Sequence, residues 1–300
     1  MNLMKKLTAA AAAVLMLSAQ PLSASAADIM NFRVSAEKNA FTVDDVAKGD
    51  QVVRCNLYID NYTGLSQFRL ILKGTQPLVI ENGDYTRIPD QIGPDKKPQL
   101  AFFKKYSSAV YTQYNEETEL SNYALWYGEE LGKSGGEFYG QGELNDPNSS
   151  LIGFDVRIPK DTPPGDYVCG VSTEVKHYGT VIEEDFFAYQ NRRQLVYGEE
   201  VTTTPVTFSV YRRGDIDCED GVALRDAQLA LMFYTQGTLT HTVFPDTWYA
   251  EKVGSKNGVT AQLAADASGD GKIGLDDAQG ILRYYTQSMG GLKPDWNEIF

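Results

Sequence analysis

Near the C-terminus the chain reads Asp266-Ala-Ser-Gly-Asp-Gly-Lys-Ile-Gly-Leu-Asp-Asp277, a segment spaced for one task. Oxygen side chains fall at positions 1, 3, 5 and 12: Asp266, Ser268, Asp270 and Asp277. Gly271 stands at position 6, where such a loop must turn sharply, and Ile273 at position 8 is apolar and inward-pointing. A hard cation such as calcium takes six to eight oxygens, so several carboxylates must close on one point, joined by the backbone carbonyl of Lys272. A polar turn ahead of a helix is the plain alternative, but it does not require this full pattern.

A second copy lies 51 residues upstream. Asp215-Ile-Asp-Cys-Glu-Asp-Gly-Val-Ala-Leu-Arg-Asp226 has acids at the same four positions: Asp215, Asp217, Glu219 and Asp226. Each loop runs into a matching segment, Asp226-Ala-Gln-Leu-Ala-Leu-Met-Phe-Tyr-Thr-Gln236 and Asp277-Ala-Gln-Gly-Ile-Leu-Arg-Tyr-Tyr-Thr-Gln287. A loop plus one helix, repeated at a constant offset, is a structural unit and not a chance acidic turn. The expectation is a small α region with two EF-hand-like calcium loops and two calcium ions.

The pair resembles a dockerin, the plug module of cellulosomes. Gly214-Asp-Ile-Asp-Cys218 is similar to the start of dockerins from rumen-type fibre-degrading bacteria, and Leu292-Lys-Pro-Asp-Trp-Asn-Glu-Ile-Phe300 is similar to tails of that group. The resemblance covers about 214–300 and implies calcium-dependent docking to a cohesin of a scaffold protein.

The two loops are unequal. In the first, Asp220 holds position 6 and Gly221, whose carbonyl is a candidate ligand, holds position 7, so the flexible residue moves by one. Asp tolerates a left-handed backbone better than most residues, so the turn survives. Glu219 is longer than the usual ligand, and Ala223 at position 9 has no side chain to hold a bridging water. The first loop is expected to be the weaker site. Cys218 is read as structural, because calcium prefers oxygen to sulfur.

Along the helices, Ala227, Ala230, Leu231 and Tyr234, and likewise Ala278, Ile281, Leu282 and Tyr285, recur at helical spacing and predict a shared core. The off-stripe residues Arg225, Met232 and Phe233 in one repeat, and Asp276, Arg283 and Tyr284 in the other, are the candidate partner face. A half-turn rotation superposes Arg225 on Asp276 and Met232 on Arg283. Mismatched charges of this kind predict a single binding orientation. Between the repeats, Thr247-Trp248-Tyr249 is expected to pack on them, and Val259 to Ala265 reads as a short helix.

The remaining chain is different in kind. Lys5 and Lys6, the apolar run Leu7 to Leu17 and Ala24-Ser-Ala26 predict a secretory signal over 1–26, and hence an extracellular protein. The run is too short to span a bilayer. Net charge is -13, with 13 acidic against 6 basic residues from Gly214 onward, which argues against nucleic acid. From 27 to 212 the pattern is β. Val53, Cys55, Leu57 and Ile59 alternate with polar residues, as do Phe68, Leu70 and Leu72, then Ile152, Phe154, Val156 and Ile158, then Tyr167, Cys169 and Val171, then Val206, Phe208 and Val210. Period two between turn signals such as Asn82-Gly83 and Pro163-Pro164-Gly165 predicts an antiparallel β-sandwich. Cys55 and Cys169 fall in strands, as a pair or as two buried thiols. The domains expected are 1–26, 27–212 and 213–300.

Two segments of the sandwich resemble a cohesin, the jelly-roll socket that receives dockerins: Ala47 to Ile59 followed by Gly64 to Leu72, and Phe154 to Tyr167. The aromatic middle, with Phe102, Phe103, Tyr106, Tyr111, Tyr114, Tyr123, Trp126, Tyr127, Phe138 and Tyr139, departs from that pattern and suits core packing, a protein interface or stacking on sugar rings. Catalysis has little support. Only His177 and His241 exist, and Glu129-Glu130 and Glu183-Glu184-Asp185 are sequence neighbours that a strand sends to opposite faces. The expectation is a secreted, non-catalytic adaptor, binding a scaffold cohesin through 213–300 and a dockerin through 27–212, without nucleic acid or membrane. The alternative is a dockerin-borne module that binds plant cell-wall polysaccharide.

Overall fold

The alternating segments form strands. The computed structural model describes residues 29–60, 65–81, 110–111, 122–127, 152–172, 175–177, 180–182, 187–190, 193–219 and 221–300. One sheet is ordered β14 (Val201–Thr204), β1 (Met30–Ala36), β3 (Gln51–Asp60), β8 (Ile152–Ile158) and β5 (Val79–Glu81). The other is ordered β13 (Arg193–Leu195), β12 (Phe187–Gln190), β4 (Leu65–Gly74), β9 (Gly165–Ser172), β15 (Val206–Tyr211) and β2 (Ala40–Thr42). In that second sheet β7 (Asn122–Tyr127) also pairs with β4, and β6 (Val110–Tyr111) pairs with β7. A separate ribbon joins β10 (Val175–His177) to β11 (Thr180–Ile182).

Alternation decides which side chains go inside. In β3, Val53, Cys55, Leu57 and Ile59 are buried while Arg54, Asn56, Tyr58 and Asp60 are half-buried on the other face. Phe32, Leu57 and Phe154 of the first sheet share one core with Leu70, Leu72 and Phe208 of the second. Each fully buried side chain of this size contributes about 1.5–3 kcal/mol. Cys55 and Cys169 are free thiols in that core, and burial pushes the Cys55 thiol up to about 12 and the Cys169 thiol up as well.

The sequence pattern predicts an antiparallel sandwich, and the structure corrects this at two strand pairs. β1 runs parallel to β14, and β2 runs parallel to β15. The first and last segments each cross from one sheet to the other, so they meet side by side in the same direction. At the last crossing Pro205 separates β14 from β15. Proline has no amide hydrogen for a ladder and ends one strand before the next begins. Gly170 of β9 makes room for it, since a Cβ there would stand 2.6 Å from the Pro205 ring.

The outward face of the first sheet carries ion pairs across strands. Arg33 meets Asp60 at 2.8 Å, Arg54 meets Asp155 at 3.3 Å, and Arg157 meets both Glu81 and Asp50 at 3.3 Å. It is thus neither an apolar plane nor a row of aromatic rings. A short helix, α1 (Val43–Lys48), follows β2 and is capped by Thr42. The expected signal segment and most of the aromatic middle lie outside the described residues, as do the Glu129-Glu130 and Glu183-Glu184-Asp185 pairs. Trp126 and Tyr127 fall in β7. No helix among the described residues is long and apolar enough to cross a membrane.

After β15 the chain turns helical: α2 (Leu224–Thr240), α3 (Asp246–Val253), α4 (Gly258–Ala265), α5 (Leu275–Met289) and α6 (Trp296–Ile299). The helices that follow the two loops, α2 and α5, pack against each other. Their core takes Ile216, Leu229, Ala230 and Phe233 from one repeat, Ala278 and Ile281 from the other, and Ala261, Ala264 and Ala265 from α4.

Candidate metal centre

The loops are wired alike to their helices. Asp226 accepts from the Ile216 amide at 2.6 Å and the Asp217 amide at 3.4 Å on Oδ1, and from the Ala223 amide at 2.7 Å on Oδ2. Asp277 accepts from the Ser268 amide at 2.7 Å on Oδ1 and the Gly274 amide at 2.6 Å on Oδ2. Ser268 and Gly274 are the 51-residue counterparts of Asp217 and Ala223. One carboxylate in each repeat therefore caps its helix and pins the loop over it. The anionic caps also sit at the positive end of the helix dipole.

This wiring sets the helical phase. Asp226 and Asp277 must face inward, so the buried stripe starts there: Asp226, Leu229, Ala230 and Phe233, and Asp277, Gly280 and Ile281, with Tyr284 half-buried. The stripe read from sequence begins one residue later and is corrected in part. Leu231 and Leu282 are 45% and 42% exposed, not core. Phe233, expected on the partner face, is 3% exposed and meets the Tyr249 ring edge-on at 4.8 Å and the Trp248 ring at 5.6 Å. Met232 is partly buried against the same core. Tyr284 stacks on Trp296 at 4.2 Å. Asp276 and Arg283 are exposed.

Arg225 is turned back onto its own loop. Its Nε lies 3.2 Å from Asp217 and its guanidinium 3.8 Å from Glu219. Arg212 lies 3.5 Å from Asp215. Glu219 thus points outward, apart from the cluster of Asp215, Asp217 and Asp226, with its side chain 70% exposed.

In the first loop three buried carboxylates converge. Asp215, Asp217 and Asp226 each offer an oxygen within 4.8 Å of the others, the one such cluster among the described residues. Asp215 Oδ1 is buried and has no hydrogen-bond partner. Burial, and then the charge of Asp226, pushes the Asp215 carboxyl up to about 7. Burial also raises Asp226, opposed by the Ala223 and Ile216 amides. An all-oxygen set of buried anions with one orphaned acceptor fits a hard divalent cation, which would remove both costs.

The second loop is closed differently. Asp266 accepts from the amides of Gly269 at 2.9 Å, Asp270 at 3.1 Å and Gly271 at 2.9 Å. The Lys272 amide donates to Asp270 at 2.9 Å. The convergent carboxylates therefore belong to the loop ranked weaker by sequence. The arginines and the outward Glu219 set against it were not visible there.

Backbone conformation shows a requirement that sequence reading missed. Position 4 is left-handed in both loops, at Cys218 (φ 59°) and Gly269 (φ 80°). Among the described residues, Gly271 at position 6 of one loop and Gly221 at position 7 of the other are also left-handed, with φ of 85° and 84°, and Asp220 at position 6 lies outside the described residues. Gly269 hinted at the first, but cysteine at the matching position obscured it.

No family model matches the chain, and no curated protein matches it. Among solved structures it is similar to the seventh ScaB type I cohesin of Pseudobacteroides cellulosolvens, at 13% identity and a TM-score of 0.36, covering 61% of this chain and 93% of that one. It is also similar to the third ScaB cohesin of R. flavefaciens, solved with a group 1 dockerin, at 15% identity and 0.33, covering 63% and 97%. A type II cohesin from the Acetivibrio cellulolyticus cellulosome matches at 9% and 0.34, covering 60% and 95%.

Proposed function

We propose that this is an exported, non-catalytic adaptor of a cellulosome-type assembly, whose helical region is a calcium-folded dockerin that plugs into a cohesin on another protein. The observation that carries the reading is the duplicated wiring: two loops, 51 residues apart, each pinned to its helix by one carboxylate, with three buried carboxylates converging in the first. Asp215, Asp217 and Asp226 would hold one ion. Asp266, Ser268, Asp270 and Asp277, with the Lys272 carbonyl, would hold the other. Calcium supplies folding free energy here, because it binds the folded loops and not the unfolded chain.

The surface offered to a partner is a matched pair of leucines on each helix. Leu224 and Leu231 are each 45% exposed, and their counterparts Leu275 and Leu282 are 44% and 42% exposed. Seven residues apart, each pair lies on one helix face. The apolar contacts repeat while the flanking charges, Arg225 against Asp276, do not. The leucines supply affinity and the charges select the orientation. In the same reading the sandwich is a cohesin-like socket for a second dockerin.

Two measurements test this. Calorimetric titration of the chelator-treated protein with calcium should give two binding events. Pull-down against panels of cohesins and dockerins should then capture a cohesin only in calcium. Capture that persists unchanged in chelator, or the absence of any calcium heat, refutes the proposal.

A further inference from the structure

The helix between the two calcium loops does not cap itself. Asn257 precedes α4, but its side chain makes no capping bond. The free amides at the start of α4 are met from the sheet domain, by Asp166 at the beginning of β9. Val259 N donates to Asp166 Oδ2 at 2.8 Å, and Thr260 N to Oδ1 at 3.0 Å. The Thr260 hydroxyl donates to the same carboxylate at 2.7 Å, and so does the Ser209 hydroxyl of β15 at 2.6 Å. The contact is reciprocal, since the Asp166 amide donates to Asn257 Oδ1 at 3.2 Å.

This junction touches both loops. The C-cap of α4 is Asp266, the first ligand position of the second loop. The Asn257 side chain also meets the Cys218 thiol, at position 4 of the first loop. Just beyond β15, the Gly214 amide donates to the Ala264 carbonyl at 2.9 Å, and the Arg213 guanidinium reaches the Ala267 carbonyl. The sheet domain therefore grips the segment that sets the start of one loop and abuts the turn of the other.

We propose that Asp166 is a cap supplied by one domain to a helix of the other, and that it couples calcium binding in the helical region to the sheet domain, so that the two load and unfold as one unit. The inference rests on the calcium reading above. By linkage, whatever orders α4 strengthens the loops, and calcium in the loops strengthens the domain contact by the same factor. A chain built this way presents its two binding surfaces in a fixed relation once loaded.

The test uses the full-length protein and its Asp166→Ala and Asp166→Asn variants, followed by calcium titration calorimetry and by scanning calorimetry in calcium and in chelator. Loss of a charged helix cap is expected to weaken calcium binding by about fivefold to tenfold in Asp166→Ala. Asp166→Asn, which keeps one acceptor oxygen, is expected to fall between the two. Wild type in calcium should unfold in one transition, and Asp166→Ala in two, of which only one moves with calcium. If Asp166→Ala fails to fold, Asp166→Asn and Ser209→Ala carry the same comparison with smaller losses in the same direction. Wild type that binds calcium while the variants bind it equally, with one shared transition, overturns the coupling alone. Wild type that binds no calcium overturns the calcium reading and the coupling with it.

Discussion

Replacing Asp215 by asparagine should change the sign of its effect with calcium. Asp215 is 2% exposed, and its Oδ1 has no donor. Its carboxyl stands at about 7 instead of 3.8, chiefly through burial and then through Asp226. Holding it ionised in the folded, calcium-free protein therefore costs roughly three pKa units, or about 4 kcal/mol at 1.36 kcal/mol per unit. Asparagine removes that charge together with the Arg212 ion pair, whose opposing pull is already contained in the net shift. The net expectation in chelator above pH 7 is a stabilisation of about 2–4 kcal/mol, a rise in Tm on the order of 10 °C. A raised carboxyl pKa makes the cost largest above 7 and absent once the group is protonated in both states. The gap between variant and wild type should therefore close as the pH falls from 7 towards 4. In saturating calcium the order reverses, because the variant has lost a ligand. Thermal melts by circular dichroism in chelator and in calcium, at pH 8 and pH 4.5, measure all of this. An Asp215→Asn protein no more stable than wild type in chelator at pH 8 refutes the reasoning.

Three further outcomes are expected. Asp277→Ala should destabilise the protein with or without calcium, by about 2–3 kcal/mol, since it strips the Ser268 and Gly274 amides of a charged acceptor; chemical denaturation measures the loss. Arg225→Ala should tighten the first calcium site by about fivefold, equivalent to ~1 kcal/mol, by removing a cation 3.2 Å from Asp217; a calorimetric titration with unchanged affinities at both sites contradicts this. Leu231→Arg combined with Leu282→Arg should abolish capture by a cohesin while shifting stability by no more than about 0.5 kcal/mol per site, since both side chains are exposed; pull-down and melting, run on the same preparation, check both halves.

The helical phase shows how far the sequence could be read. The loop pattern placed Asp226 and Asp277 at ligand position 12, and a helical count begun from Asp226 arrives at Leu229, Ala230 and Phe233. Counting from apolar residues alone begins at Ala227 and puts Leu231 inside. A carboxylate with two backbone donors constrains a helix more strongly than one leucine does, and apolar counting gives it no weight. In the sandwich, alternation in β3 and β8 marked the buried side chains, because a strand facing a core on one side has period two. The parallel neighbours of β1 and β15 were not legible, since pairing direction depends on where distant segments meet.

Local chemistry was legible along the chain: two oxygen-rich loops at a fixed offset, a helix after each, and strands whose alternation sorted inside from outside. These follow from spacing along the chain, which covalent geometry converts directly into direction. Tertiary structure alone decided what meets across long separations. It set Arg225 and Arg212 against the first loop, left Asp215 Oδ1 without a donor, and brought Asp166 of the sheet domain to the start of α4, more than 90 residues away. No periodicity encodes such contacts. They arise because a helix start and a buried charge must find partners wherever packing brings a suitable group.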